Sequence, residues 1–317
     1  VTADSPTLPS SPADAGARPG GRAPASPWKV WTGLWIVYIV WGSTYLAIRV
    51  VVETVPPLLS AGARFLVAGG VMLAVLSFRR RVKPTRAQLL SALLVGLLLP
   101  GANAVVSVAE QEVPSNLAAL LIASVPLWVL VMRRVSGEPV TGAGIGAVLV
   151  GFVGVAFLLQ PGEQTAGASL LALAACVFAA VMWASGSFAS PRLRLPGDPL
   201  VSVGWQMLLG GAAITATGLA FGEAGDVHVE TFSARSLVAL AYLIVFGSWL
   251  AYTAYAWLLQ NAPISRVATY AYVNPMVAIV LGFLILDEVI APVTLAGAAI
   301  IVVSVALVTR IESARRP

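Results

Sequence analysis

The chain repeats itself. Trp41 and Ser43 recur 142 positions later as Trp183 and Ser185, and Gly62 and Gly69 recur at the same offset as Gly204 and Gly211. Further along the offset becomes 149, pairing Gln111 with Gln260, Pro114 with Pro263 and Pro126 with Pro275. An insertion of seven residues in the polar stretch around Gly222 to Ser236 accounts for the change. The matched positions lie in two ladders of hydrophobic segments, five to each half, so a five-segment unit has been duplicated. Internal duplication within a membrane chain is a mark of many transporters.

Composition confirms the setting. The 317 residues are 58% hydrophobic and 10% charged, with a mean hydropathy of +0.89, where soluble domains carry about 25% charged residues. Apolar runs near the length of about 20 residues that crosses a bilayer fall at 31–52, 57–78, 87–108, 114–133, 140–159, 167–189, 199–221, 236–259, 264–286 and 291–309. The expectation is an all-α integral membrane protein of ten transmembrane helices. An odd number of spans per copy sets the second copy upside down, so the repeats are inverted. The first covers residues 30–160 and the second 167–310, flanked by a tail over 1–29 and a short tail over 311–317.

Lys and Arg flanking short loops are retained on the cytoplasmic side. Sixteen of the 19 basic residues lie in the N-terminal tail, the even-numbered loops and the C-terminal tail, while the odd-numbered loops hold only Arg235. Both termini are therefore expected in the cytoplasm. The net charge of +5 is a topology signal, and a nucleic-acid partner is not needed to explain it. The tail is rich in Pro, Ser, Ala and Gly and too poor in apolar residues to offset ordering entropy, so it is read as disordered. The first apolar segment is too long for a signal-peptide core and is expected to stay as a spanning helix. Gly137 to Pro139 and the pair Asp287 and Glu288 each end the fourth helix of a repeat, on opposite faces of the membrane, as inversion requires.

These residues resemble a known family. The stretch Trp41, Gly42, Ser43, Thr44 on the first helix, Ala63, Arg64, Phe65 on the second, the mid-helix prolines Pro126 and Pro275, and the acidic turns at Glu138 and Glu288 are similar to the EamA repeats of the drug/metabolite transporter superfamily. The likeness runs over residues 31–309. It implies a ten-helix transporter of two inverted repeats, whose members commonly export amino acids, other metabolites or toxic compounds. It does not select a substrate.

Arg64 is the sharpest candidate. It lies about seven residues into the second helix, roughly 10 Å from that helix's start at 1.5 Å per residue, where an Arg is costly unless it meets a wet cavity or a partner. Two readings stand side by side: a cation that receives a substrate carboxylate in bidentate fashion, or a structural Arg that snorkels or caps backbone carbonyls. Its repeat-mate Gln206 is neutral and is placed with it in the cavity.

Asn103, Ser107 and Glu110 fall at i, i+4 and i+7 on one face of the third helix. The corresponding face of the eighth carries Tyr252 and Tyr255. Tyr270 and Asn274 on the ninth helix precede Pro275, which removes a backbone donor and kinks the helix, as Pro126 does in the fourth. Trp41 and Ser43 complete the expected lining, which suits an amphiphilic or aromatic solute. Arg49 and Glu53, four apart near the outer end of the first helix, are expected to pair with each other, or with Glu110 to serve as a gate or coupling site. Small residues at Gly142, Gly146, Ala143, Ala147 and Gly151 favour close packing of the fifth helix.

The leading functional expectation is an exporter of small organic solutes in a bacterial inner membrane, working by alternating access. A proton-coupled organic-cation antiporter is the alternative, and it wants a carboxylate deep in the bundle, for which Glu110 and Glu53 are the nearest candidates. A membrane-embedded enzyme finds little to work with in one histidine, His228, and one cysteine, Cys176. No cofactor, metal site or nucleotide-binding loop is expected, the partners being a small solute and lipid. The oligomeric state is open, a monomer included.

Overall fold

The computed structural model describes residues 26–78, 83–262, 264–267 and 269–313. The expected disordered tail up to residue 25, Arg79, Arg80 and Arg81 of the second loop, Pro263 and the last four residues lie outside them. The described residues form helices α1 (Pro27–Val51), α2 (Pro57–Ser77), α3 (Arg86–Ala109), α4 (Ser115–Ile122), α5 (Val125–Val135), α6 (Gly142–Leu158), α7 (Leu170–Ala189), α8 (Pro199–Ala220), α9 (Ala234–Tyr242), α10 (Ala251–Asn261), α11 (Ile264–Val267), α12 (Tyr270–Leu286) and α13 (Pro292–Ser313). Eight helical stretches are long and apolar enough to cross a membrane, and α6 and α12 are shorter apolar helices in the remaining two places.

Local chemistry sets these boundaries. Thr85 opens α3 with a capping box: its hydroxyl accepts from the Gln88 amide while the Gln88 side chain accepts from the Thr85 amide at 2.8 Å. Thr141, Ser169, Asp198 and Ser233 accept from first-turn amides of α6, α7, α8 and α9. Proline occupies the first turn of α1, α2 and α8, where its missing N–H costs nothing.

Three irregularities matter for the site. The fourth span breaks into α4 and α5 at Ala123 and Ser124, because Pro126 cannot donate to the Ile122 carbonyl. The expected ninth span, 264–286, is divided into α11 and α12, with Pro275 inside α12. Between α9 and α10 the helix widens to i→i+5 turns over Leu243–Leu250, which no Pro announces.

The two halves interlock through repeat-mates. On α2, a Cβ at Gly69 would lie 2.8 Å from the Gly204 carbonyl oxygen of α8; on α8, a Cβ at Gly211 would lie 3.0 Å from the Gly62 carbonyl oxygen. The pair α6 and α13 does the same: a Cβ at Gly154 would meet the Gly297 carbonyl at 3.1 Å and one at Gly297 the Gly154 carbonyl at 3.2 Å. In both cases glycine permits backbone contact between helices. The small face on α6 is narrower than the sequence suggested. Ala147 and Gly151 are buried, whereas a Cβ at Gly142 or Gly146 would meet nothing within 4 Å.

Packing is uneven along the bundle. Ser115 through Leu121 on α4 are all buried, and Val113, Leu117 and Leu120 sit with Cys176 and Ile279 in one apolar cluster. In α5 only Leu127 and Leu130 are buried. One end of the bundle is thus sealed, and the opposite half of the same span is looser. Outward-facing Leu149, Val153, Phe178 and Phe283 are exposed to what is the lipid side of a membrane protein.

Candidate solute cavity

The cavity lies where the irregular helices meet. Its empty volume is about 810 Å³, mouth included, and its polar and aromatic walls are Trp41, Thr44 and Tyr45 of α1, Arg64 of α2, Asn103 of α3, Trp183 of α7, Tyr252 of α10, and Tyr270 and Asn274 of α12. Pro126, at the break of the fourth span, and Pro275, inside the continuous helix α12, also line it.

Trp41 is the centre of an aromatic cluster. Its ring centroid lies 5.1 Å from those of Tyr252 and Tyr255, 5.3 Å from Tyr270 and 6.5 Å from Trp183, mostly edge to face. The widened turns explain how it is held. The Ala251 amide bonds to the Phe246 carbonyl, five residues back, which leaves the Gly247 carbonyl free to accept from Trp41 Nε1 at 3.2 Å.

Arg64 is 3% exposed and lies against the same segment. Its Nε donates to Ser248 Oγ at 2.9 Å, and its guanidinium carbon sits 4.8 Å from the Phe65 ring centroid. A Cβ at Gly247 would come within 3.3 Å of Arg64 Nη2, so the glycine leaves room for the guanidinium to approach the backbone. Among the described residues this is its one hydrogen bond, so neither terminal nitrogen has a partner within the protein. The earlier alternative, capping of freed backbone carbonyls, falls to Trp41 instead.

Asn103 Nδ2 donates to the Leu99 carbonyl at 3.3 Å, leaving its oxygen toward the cavity wall. Asn274, in the amide orientation that satisfies it, donates to the Tyr38 and Tyr270 carbonyls at 3.3 and 3.2 Å.

Several expected site residues lie elsewhere. Ser43 turns away to Tyr242, whose hydroxyl is 2.6 Å distant, and donates to the Val40 carbonyl. Gln206 is buried, its backbone carbonyl faces Gly96 of α3 and its side-chain amide donates to Ser202 Oγ at 2.9 Å; it is not among the residues lining the cavity. Ser107 lines a separate small recess behind Arg64 and bonds to the Asn103 carbonyl. Tyr255 backs the aromatic cluster without reaching the cavity surface.

The expected ion pair of Arg49 and Glu53 does not form. Helix α1 ends at Val51, so Glu53 is off the helical register and faces Arg235 at 4.0 Å. Arg49 Nη1 donates instead to the backbone carbonyl of Glu110. Glu110 is fully buried. Three polar or aromatic lining residues, Thr44, Tyr45 and Trp183, were missed. Thr44 sits beside Trp41, and Trp183 is the repeat-mate of Trp41, so the duplication itself held the signal for it.

The profile of the EamA-like transporter family matches residues 30–160 and 170–310. The chain belongs to that family. The uncharacterized inner membrane transporter YedA of Escherichia coli (strain K12) is 36% identical over 281 residues, 87% of this chain and 89% of that one. The WAT1-related protein At3g02690, chloroplastic, of Arabidopsis thaliana is 24% identical over 286 residues, 88% of this chain and 69% of its own. A solved crystal structure shares the fold at a TM-score of 0.62 and 19% identity, covering 92% of this chain and all of that one. This EamA-family chain is accordingly a multi-pass inner-membrane transporter, with a small solute and the lipid bilayer as its partners.

Proposed function

We propose that the protein exports small organic metabolites such as amino acids by alternating access through the cavity between two inverted five-helix repeats, with both termini in the cytoplasm. One observation carries the reading: a buried guanidinium with its terminal nitrogens uncommitted stands beside a cluster of aromatic rings. Arg64 suits a carboxylate, which it takes bidentately, and Trp41, Tyr252 and Tyr270 suit an apolar or aromatic body. The tight packing at the Ser115 end and the looser α5 half fit a state open on one side.

The test is uptake into liposomes containing purified protein, using a panel of amino acids, aromatic metabolites and organic cations, with and without a pH gradient. Saturable movement of amino acids that Arg64→Ala abolishes supports the reading. Movement of cations alone, driven by the proton gradient and insensitive to Arg64→Ala, supports the antiporter instead. That second reading has its own motive in Glu110, a buried acid of the kind such exchange needs.

A further inference from the structure

Glu110 is the one buried acid among the described residues, and it does not line the solute cavity. It follows the span Arg86–Ala109 directly and has no measurable exposure. Neither carboxyl oxygen has a hydrogen-bond partner among the described residues. Its chain neighbours Ala109 and Val113 belong to the sealed apolar cluster, as does Cys176, which interacts with it.

Among the described residues, four charged or titratable groups face it. Arg49 of α1 is the cation among them, and its Nη1 is already committed to the Glu110 main-chain carbonyl. Glu288, beyond the end of α12, is a like charge, and its two oxygens are taken by the Ser115 and Asn116 amides at 2.7 and 3.0 Å. Tyr45 of α1 and Cys176 of α7 are neutral neighbours. An ionised carboxylate here would have two unmet oxygens, an apolar surround and a second carboxylate nearby, an unfavourable combination that is relieved by taking up a proton or by reaching water.

We propose that the Glu110 carboxyl is a proton-binding site that locks the Ser115 and Glu288 end of the transporter: the end stays sealed while the carboxyl is protonated, and the proton leaves to water when that end opens. The site is one-sided. The repeat-mate of Glu110 is Leu259, which is apolar and exposed, so the opposite end lacks the lock. The inference rests on the alternating-access reading above, but its test needs no solute, so failure of solute transport would leave the result standing.

The experiment is hydrogen–deuterium exchange of the segment 109–121 in purified protein in lipid nanodiscs, at pH values from 5.5 to 8.5, each rate divided by the intrinsic amide rate for that pH. In the wild type, protection is expected to fall with rising pH, approaching tenfold per unit once the carboxyl titrates, as one linked proton requires. Glu110→Gln, a permanent mimic of the protonated acid, is expected to stay protected throughout. Glu110→Asp keeps a titratable group and retains a pH dependence, which preserves the test if the Gln variant does not fold. Glu288→Gln is expected to lower protection at every pH while keeping the slope. Flat protection in the wild type, an unchanged slope in Glu110→Gln, or loss of the slope in Glu288→Gln would each overturn the proposal.

Discussion

Arg64 Nε donates to Ser248 Oγ at 2.9 Å, from the second helix of one repeat to the widened turn of the other. The hydroxyl fixes the guanidinium plane while leaving both terminal nitrogens for an acceptor. Removing the cation and removing its support should therefore differ. Arg64→Ala is expected to abolish transport of carboxylate-bearing solutes at normal protein levels. Ser248→Ala should retain the charge but lose its orientation, raising KM about tenfold, the scale of one charge-assisted hydrogen bond. Liposome uptake across a solute concentration series separates the two, and equal losses would show that Ser248 does more than position Arg64.

Glu138 gives a prediction about pH. Arg133 donates from Nε at 2.7 Å and Arg192 also pairs with it, so the carboxyl is held below the ordinary carboxylate range, chiefly by the Arg133 hydrogen bond and against the opposing pull of desolvation. A depressed folded-state value means the contribution is complete above the unfolded value of about 4.3 and is lost as pH falls through the lower folded one. The difference in thermal midpoint between wild type and Glu138→Gln should accordingly be constant from pH 7 to 5 and shrink below pH 4. A difference that shrinks as pH rises would contradict the ion pairs.

Helix contact predicts a sharp contrast between two glycines. A Cβ at Gly69 would lie 2.6 Å from the Leu208 amide nitrogen and 2.8 Å from the Gly204 carbonyl oxygen, and backbone atoms cannot step aside as a flexible side chain can. Gly69→Val should separate α2 from α8 and eliminate monodisperse protein on size-exclusion chromatography. Gly146→Val, where a Cβ meets nothing within 4 Å, should elute and melt like wild type.

The same contrast bears on what sequence alone reveals. Duplicated residues located the ladder of spans, and the glycine pairs at offset 142 turned out to be the contacts between α2 and α8. Trp41 and Arg64 were legible because an aromatic or a cation in mid-span needs a reason. Ser43 and Gln206 were misplaced because helical periodicity assigns a face without saying which neighbour meets it; Ser43 turns to Tyr242 and Gln206 to Ser202 of its own helix. The Arg49 pair failed because Glu53 lies past the last residue of α1, where i to i+4 spacing no longer brings side chains together, and each group found another partner. Pro126 marked the break of the fourth span, but nothing in Leu243–Leu250 marks widened turns, whose reason is tertiary: they free Gly247 for Trp41 and make room for Arg64.

Two carboxylates cap helices across the repeats, and they should not be worth the same. Glu288 accepts from the Ser115 and Asn116 amides at 2.7 and 3.0 Å, and both of those residues are buried. Glu223 accepts from the Leu58 and Leu59 amides at 3.0 and 2.8 Å, at a helix start where both leucines are partly exposed. Truncating Glu223 leaves amides that water can reach, whereas truncating Glu288 leaves them in a closed apolar cluster, at about 1–3 kcal/mol for each unmet donor. Both helix starts also lose a negative charge that suits the positive end of the helix dipole. Glu288→Ala should therefore lower the thermal midpoint by several degrees more than Glu223→Ala. It should also raise hydrogen exchange within 115–121, because the first turn of α4 no longer has acceptors for its amides. Equal midpoints for the two variants would mean that the Ser115 end is held by its apolar packing alone and that the carboxylate cap adds nothing to the seal.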